Sequence, residues 1–313
     1  SARCNLTCAF CPVTEGMDRE TGNMDLALFK KVIDEADEYL LQIILWDWGE
    51  PFLNPELFAM ISYATERNIW TVTSTNGHTL AKPGVADKII DSGLDTLIIA
   101  VDGITQETYS KFRKGGDLSK VLNGIRKLVK RKRARGSSTP EINFRFIVMA
   151  HNEHELPKVK EFASSLGIDI LTTRSMLNIY DEGGAKENEF APQNNRFKRF
   201  DEDPEGKRVK LKQNPCKGLW NNPVVHWNGI VSPCCYDFDE NYILGDVSKD
   251  SFKDIWYGAP YKSFRRRFRS NLNKAKMCNE CTNAFEGGAI GTGSIKDIFF
   301  FNQEGLIETD KDK

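Results

Sequence analysis

Apolar side chains recur at intervals of three and four between residues 24 and 40, at Leu26, Phe29, Val32, Ile33, Ala36 and Leu40. That period predicts an amphipathic helix. The run Gln42 to Trp46 follows, nearly all apolar and of the length of a buried strand. Asn54 and Pro55 supply an N-cap and first-turn pair for a helix that turns Leu57, Met60, Ile61 and Ala64 inward. Trp70 to Thr75 is β-branched and predicts a strand. Val85, Ala86, Ile89 and Ile90 line a helix stopped by Gly93, and Thr96 to Val101 is a third strand. Leu118, Val121, Leu122, Ile125, Leu128 and Val129 mark another helix, running into the basic segment 130–135, whose sign suits a helix C-terminus. Asn143 to Met149 predicts a strand, 156–166 a helix ended by Gly167, and Ile168 to Leu171 a further strand.

Strands alternating with helices in units of roughly 25 to 45 residues predict a parallel α/β architecture. Ligands of such folds sit at the carboxyl ends of the strands. Periodicity does not choose between an open doubly wound sheet and a barrel.

Composition adds limits. The chain has 313 residues and a formal charge of -1, so no global charge favours nucleic acid or an anionic surface. The length allows one large core plus a smaller unit. No apolar run approaches the roughly 20 residues of a spanning helix, and no signal-like segment stands out, so no membrane partner is expected. The text opens three residues before a cysteine, where a β/α domain needs a strand, so further residues are expected upstream.

The eight cysteines fall into two groups. Cys4, Cys8 and Cys11 share one short loop, while Cys216, Cys234, Cys235, Cys278 and Cys281 lie in the last third. Neither reads as a disulfide ladder, which suits a reducing cytoplasm. Three thiolates this close can converge on one inorganic centre, and soft sulfur selects an iron–sulfur cluster, zinc or copper(I). A four-iron cluster held by three cysteines keeps one iron for a non-protein ligand.

The spacing Cys-x3-Cys-x2-Cys, with Phe10 just before the third cysteine, resembles the radical S-adenosylmethionine (radical SAM) superfamily. The resemblance implies a partial (β/α)6 TIM-like barrel. It also implies a [4Fe-4S] cluster open to SAM, whose reductive cleavage yields a 5'-deoxyadenosyl radical, with Phe10 near the adenine. A low-potential electron donor such as flavodoxin or ferredoxin is implied as a partner.

Other matches lie at strand ends. Gly49-Glu50-Pro51 reads as a turn, and by resemblance as the SAM amino-group site, with the glycine allowing close backbone approach. Ser74, Thr75 and Asn76, before Gly77, form an Asn-Gly turn and resemble the family's loop at the SAM ribose and methionine end. Asp102-Gly103, Tyr109 and Arg113 resemble a family pattern whose usual serine is replaced here by Ala100. Asp102 and Arg113 either pair to fix the loop or meet substrate. Arg145, within an apolar strand, needs a polar partner. The choices are a salt bridge or, by resemblance, the SAM carboxylate, and Arg174 is a rival for the latter. In His151-Asn152-Glu153-His154-Glu155, Asn152 is expected to cap a helix with Glu155 closing a box-like pair.

In the last third, Cys216, Cys234, Cys278 and Cys281 could close a zinc site or a second [4Fe-4S] cluster. Cys-x12-Gly-x4-Cys followed by Gly-Asp, a tryptophan and Cys-x2-Cys resembles the SPASM/twitch domain, which implies one auxiliary cluster. Extended chain at Cys234-Cys235 would send their side chains to opposite faces, and the match selects Cys234.

The expected organisation is a core at 1–180, a linker at 181–213, the small cysteine-rich domain at 214–290 and a C-terminal extension at 291–313. The expected activity is hydrogen abstraction and net two-electron oxidation of a small polar substrate, such as a sugar or cyclitol alcohol. Alternatives are a maturase acting on a peptide or protein side chain, or a non-catalytic iron–sulfur electron-transfer or scaffold protein. No catalytic base is identified; Asp181, Glu182 and Glu187 are candidates by position only.

Overall fold

A computed structural model describes residues 1–176, 189–198, 200–202, 208–210, 216–270, 277–278 and 295–301. Its main body is a six-stranded sheet. Five strands run parallel in the order β1 (Gln42–Ile44), β2 (Trp70–Thr75), β3 (Thr96–Ala100), β4 (Glu141–Val148) and β5 (Ile170–Ser175). Helices α2 (Leu26–Ala36), α3 (Leu57–Thr65), α4 (Val85–Asp91), α5 (Gln106–Phe112), α6 (Leu118–Ala134) and α7 (Leu156–Ser165) lie between or before them, after a single-turn α1 (Pro12–Glu15). The architecture is a partial TIM-like barrel.

Strand register decides which side chains face inward. Leu97, Ile99, Phe144, Phe146 and Leu171 join α4, α6 and α7 in the main core. Alternation along a strand then turns Ser74, Ile98, Ala100, Asn143, Arg145, Thr172 and Arg174 to the opposite, interior face. The register supports this, pairing Ser74 with Ile98, Ala100 with Arg145, and Arg145 with Thr172.

β1 departs from expectation. Among the described residues it has a neighbour on one side only, β2, and Ile44 is 50% exposed, so this apolar run is an edge strand and not a buried one. At the other edge, β11 (Ile295–Phe300) pairs antiparallel with β5, and Thr173 donates to the Asp297 carboxylate across the seam. The span expected as an irregular linker contains a two-stranded hairpin, β6 (Phe200–Glu202) with β7 (Arg208–Lys210).

The small C-terminal unit has a three-stranded sheet of β8 (Val224–Val225), β9 (Ile230–Ser232) and β10 (Gly245–Asp246). The helix Ala259–Ser270 closes its core with Tyr261, Phe264 and Phe268. Helix α2 joins the two units. Phe29 and Ile33 pack into the first, whereas Leu28 and Val32 lie against the second. Lys31 Nζ donates to the Val247 carbonyl at 2.5 Å, and Glu35 accepts from the Phe252 amide at 2.5 Å.

The basic run is a helix end tied down by carboxylates. Arg131 and Arg135 meet Asp87, Arg135 also meets Asp91, and Lys132 reaches Asp169 at 2.7 Å.

Candidate functional site

The opening loop is held by the end of α5. Thr7 and Ala9 donate their amides to the carbonyls of Lys114 and Phe112. Between these two contacts Arg113 Nη1 donates to Cys8 Sγ at 3.8 Å. On the other side Asn76 Nδ2 reaches Cys4 Sγ at 3.8 Å and Asn5 Oδ1 at 2.8 Å. The thiols of Cys4, Cys8 and Cys11 pack together with Ala9, Phe10 and Ile147. Burial pushes Cys4 up and Cys11 up to about 11, and the neighbouring thiols add to both shifts. Among the described residues no three His, Cys, Asp or Glu side chains are drawn to metal-bonding distance of one point.

Phe10 adopts φ 44°, a region that side chains rarely visit. Its ring is wedged against Phe112 at 5.2 Å and Phe190 at 5.3 Å between centroids. The trio walls one flank of the loop with apolar surface.

Glu50 is buried and takes three donors: the Phe52 amide at 3.1 Å, Thr75 Oγ1 at 2.8 Å and the Asn76 amide at 2.8 Å. It therefore straps the loop after β1 to the end of β2. Burial pushes its pKa up against these hydrogen bonds. Gly49 has φ 118°, and a Cβ there would lie 2.8 Å from the Arg3 carbonyl and closer to that of Ser1. The close approach is thus made by the chain's own first residues, with the Glu50 amide donating to the Arg3 carbonyl at 2.7 Å. Pro51 opens a short 3-10 turn capped by Glu50. Gly77 turns the chain at φ 83°, as Asn-Gly predicts.

Arg145 stands on the interior face with its Nε buried and without a hydrogen-bond partner. Burial, and then the positive charge of Arg174, push its pKa down. The salt bridge expected as one alternative is not formed among the described residues. Beside it, Thr172 Oγ1 donates to Asn143 Oδ1 at 2.9 Å.

Asp102 and Arg113 do pair: Nε and Nη2 both reach Oδ2, at 2.7 and 2.5 Å. Asp102 Oδ1 accepts the Ile147 amide at 2.9 Å. Asn152 does not cap a helix with its side chain. It is fully buried, accepting from the Met149 amide at 2.8 Å and donating to the carbonyls of Ile147 at 2.8 Å and Asp102 at 3.1 Å. Glu155 closes no box with it and instead accepts from the Ile104 amide and Thr105 Oγ1. The chain folds inward after β4, so burial outcompetes the cap.

In the C-terminal unit Cys216, Cys234 and Cys235 pack around Tyr236 and Trp48, and Cys216 also belongs to the core that contains Cys278. Cys281 lies outside the described residues, as do Asp181, Glu182 and Glu187. Cys234-Cys235 is not extended. It sits at a bend entering a turn, and a hydrogen bond that the Cys234 thiol donates to Cys235, ahead of burial, pushes Cys234 up. Divergence of the two side chains is therefore the wrong premise, and both sulfurs face one locale.

Sequence reasoning missed the seam between the units. Trp48 Nε1 donates to the Cys235 carbonyl at 2.7 Å. Arg19 contacts the Phe238 carbonyl, Glu240 at 3.2 Å and Asp47 at 4.0 Å, while buried His226 lies 3.4 Å from Asp47. These residues carry no local motif, and their partners are far apart in the chain.

The fold and the cysteine loop define a class. The Radical SAM superfamily description matches residues 1–163, more than half the chain, and an iron-sulfur cluster-binding domain of SPASM type matches residues 216–282. The chain belongs to the radical SAM superfamily. It is an enzyme of that class, using SAM and a [4Fe-4S] cluster, with an auxiliary iron–sulfur domain at its C-terminal end.

Among its relatives is the tungsten-containing aldehyde ferredoxin oxidoreductase cofactor-modifying protein of Pyrococcus furiosus, 26% identical over 90% of this chain and 85% of that one. The S-adenosyl-L-methionine-dependent 2-deoxy-scyllo-inosamine dehydrogenase of Niallia circulans is 21% identical over 90% of both chains. The PqqA peptide cyclase of Gluconobacter oxydans is 24% identical over 89% of this chain and 80% of that one. The chain spans about half the length of other relatives, such as the AdoMet-dependent heme synthase of Methanosarcina barkeri. In fold it is similar to Streptococcus suis SuiB bound to S-adenosylmethionine, with TM-score 0.64 and 14% identity over 92% of this chain and 71% of that one. BtrN in complex with AdoMet and 2-DOIA gives TM-score 0.53 and 19% identity over 90% and 89%.

The residues present fit these groups. A half-buried guanidinium whose Nε lacks a partner, beside a second cation, suits a carboxylate, and thiols on one loop suit a cluster. Among the described residues no helix is long and apolar enough to cross a membrane.

Proposed function

We propose that the enzyme oxidises an alcohol of a small polar substrate, such as a sugar or cyclitol, to a ketone, with net loss of two electrons. Cys4, Cys8 and Cys11 hold the SAM-binding cluster. Arg145 binds the SAM carboxylate, Glu50 with Gly49 and Pro51 faces its ammonium, and Ser74, Thr75 and Asn76 line the ribose and methionine end. Phe10 packs near the adenine. Cys216, Cys234, Cys278 and Cys281 hold one auxiliary [4Fe-4S] cluster.

When bound, cluster and SAM supply a 5'-deoxyadenosyl radical able to take an unactivated hydrogen. The protein's own part is binding, orientation and exclusion of water. Among the described residues Glu50 Oε2 has one donor, the Asn76 amide, and keeps acceptor capacity for an ammonium. The ring trio of Phe10, Phe112 and Phe190 keeps water from one flank of the thiol loop.

The observation that carries the substrate class is the polar interior wall of β4 and β5. There Asn143, Thr172 and Arg174 bring amide, hydroxyl and guanidinium groups together beside the SAM-binding Arg145. Such a wall suits a polyol. The full-length likeness to a cyclitol dehydrogenase supports it. Modification of a peptide is the second reading, favoured by the likeness to PqqA peptide cyclase over most of both chains. In either reading a flavodoxin or ferredoxin supplies the electrons, and cysteines without a disulfide ladder favour the cytoplasm as the enzyme's location.

The test is incubation of the cluster-loaded enzyme with SAM, reductant and a panel of cyclitol and sugar alcohols, read by mass spectrometry. A ketone two hydrogens lighter, formed with 5'-deoxyadenosine, is expected. Turnover of a peptide with none of the alcohols moves the assignment to the second reading.

A further inference from the structure

The geometry points to Arg113, clamped by Asp102, as a positioning residue that sets the reduction potential of the cluster held by Cys4, Cys8 and Cys11. The inference rests on the reading of those cysteines as ligands.

Three observations converge. First, Phe112 and Lys114 fix the thiol loop through the amides of Ala9 and Thr7. Arg113, between them, is therefore delivered to Cys8 by the backbone and does not reach it by a free swing. Second, Asp102 orients the guanidinium. Its Oδ2 takes Nε and Nη2, its Oδ1 is pinned by the Ile147 amide, and Nη1 alone is left for Cys8 Sγ at 3.8 Å. Asp102 has no exposed surface and the Arg113 side chain is 14% exposed, so the pair is weakly screened. Third, Cys4 receives its own side-chain donor, Asn76 Nδ2, also at 3.8 Å. Two of the three sulfurs are thus hydrogen-bonded by neighbouring loops, and only one of the donors carries charge.

Hydrogen bonds and charge at the sulfurs set cluster potentials. A reduced cluster bears one more negative charge than an oxidised one. The guanidinium stabilises the reduced form more and raises the potential, while the Asp102 carboxylate, one step further out, opposes it. A residue that merely braced the loop would loosen the site whichever member of the pair was changed. An electrostatic pair instead gives effects of opposite sign.

The experiment is an EPR-monitored redox titration of anaerobically cluster-loaded protein, following the signal that responds to added SAM. Arg113→Gln is expected to lower the midpoint potential, Asp102→Asn to raise it, and both to leave the auxiliary cluster unmoved. Shifts of the same sign, or none, overturn the inference while the SAM-responsive cluster itself remains. Loss of that signal already in the unaltered protein overturns the ligand reading instead. Should either variant fail to fold, wild-type protein labelled with 15N-arginine decides by pulsed EPR. A weak arginine 15N coupling to the SAM-responsive cluster that disappears in Arg113→Lys is expected, and its absence overturns the inference.

Discussion

Replacing Asn152 by alanine separates two accounts of one residue. As a helix cap, its loss costs about 1 kcal/mol. The structure makes it a buried bracket with one bond accepted from Met149 and two donated, to Ile147 and Asp102. Three net hydrogen bonds at ~1 kcal/mol each amount to ~3 kcal/mol, and stranding their buried backbone partners adds further cost. We expect about 3 to 5 kcal/mol, large for a single substitution. Equilibrium urea denaturation of the metal-free chain, followed by circular dichroism, measures it. Asn152→Asp keeps the acceptor, loses both donors and adds charge near Asp102, so it should cost at least as much. A loss of 1 kcal/mol or less for the alanine variant refutes the bracket. Because the Asp102 carbonyl is one of the three partners, the same variant should also reduce iron loading at the opening loop.

Other changes test other parts. Gly49→Ala forces a Cβ against the carbonyls of Ser1 and Arg3 at φ 118°; iron analysis should show depletion at the N-terminal site with the auxiliary iron retained. Arg145→Ala removes the guanidinium proposed for the SAM carboxylate. At about 1.5–3 kcal/mol for a charged hydrogen bond, calorimetry should find SAM binding weakened by roughly ten- to a hundred-fold with cluster content unchanged. Cys278→Ala should lower total iron while the SAM-responsive EPR signal persists. The carboxyl of Asp246 is held down to about 2 by Lys249 at 2.7 Å and by Ser248. A lowered folded pKa gives stability that is present above the unfolded value of about 4 and lost as pH falls toward the folded one. Acid denaturation of Asp246→Asn should accordingly be flatter between about pH 4 and 2.

The alternating elements were legible because their cores are periodic. β2 spans Trp70–Thr75 as expected, and Gly93 and Gly167 end their helices with positive φ. The cysteine spacing carried the class, because three thiolates on one loop have few chemical uses. What the sequence hid was pairing between distant segments. β11 joins the sheet beside β5 by hydrogen bonds that no local pattern announces. Asn152 looked like a cap because capping is a local rule, and tertiary burial overrode it. Arg113 was readable as a partner of Asp102, but its contact with Cys8 depends on how α5 meets the opening loop. Helix α2 showed one apolar stripe and in fact serves two cores, which a single-face reading cannot separate.

The proposed chemistry requires the opening cysteine loop to hold an iron cluster with a coordination position that SAM occupies. EPR spectra of reduced, anaerobically prepared protein, recorded with and without SAM alongside metal analysis, address it directly. Iron and sulfide are expected at the loop, with a spectrum that changes on adding SAM and is lost in Cys4→Ala. Zinc at the loop, or an iron signal indifferent to SAM, contradicts it.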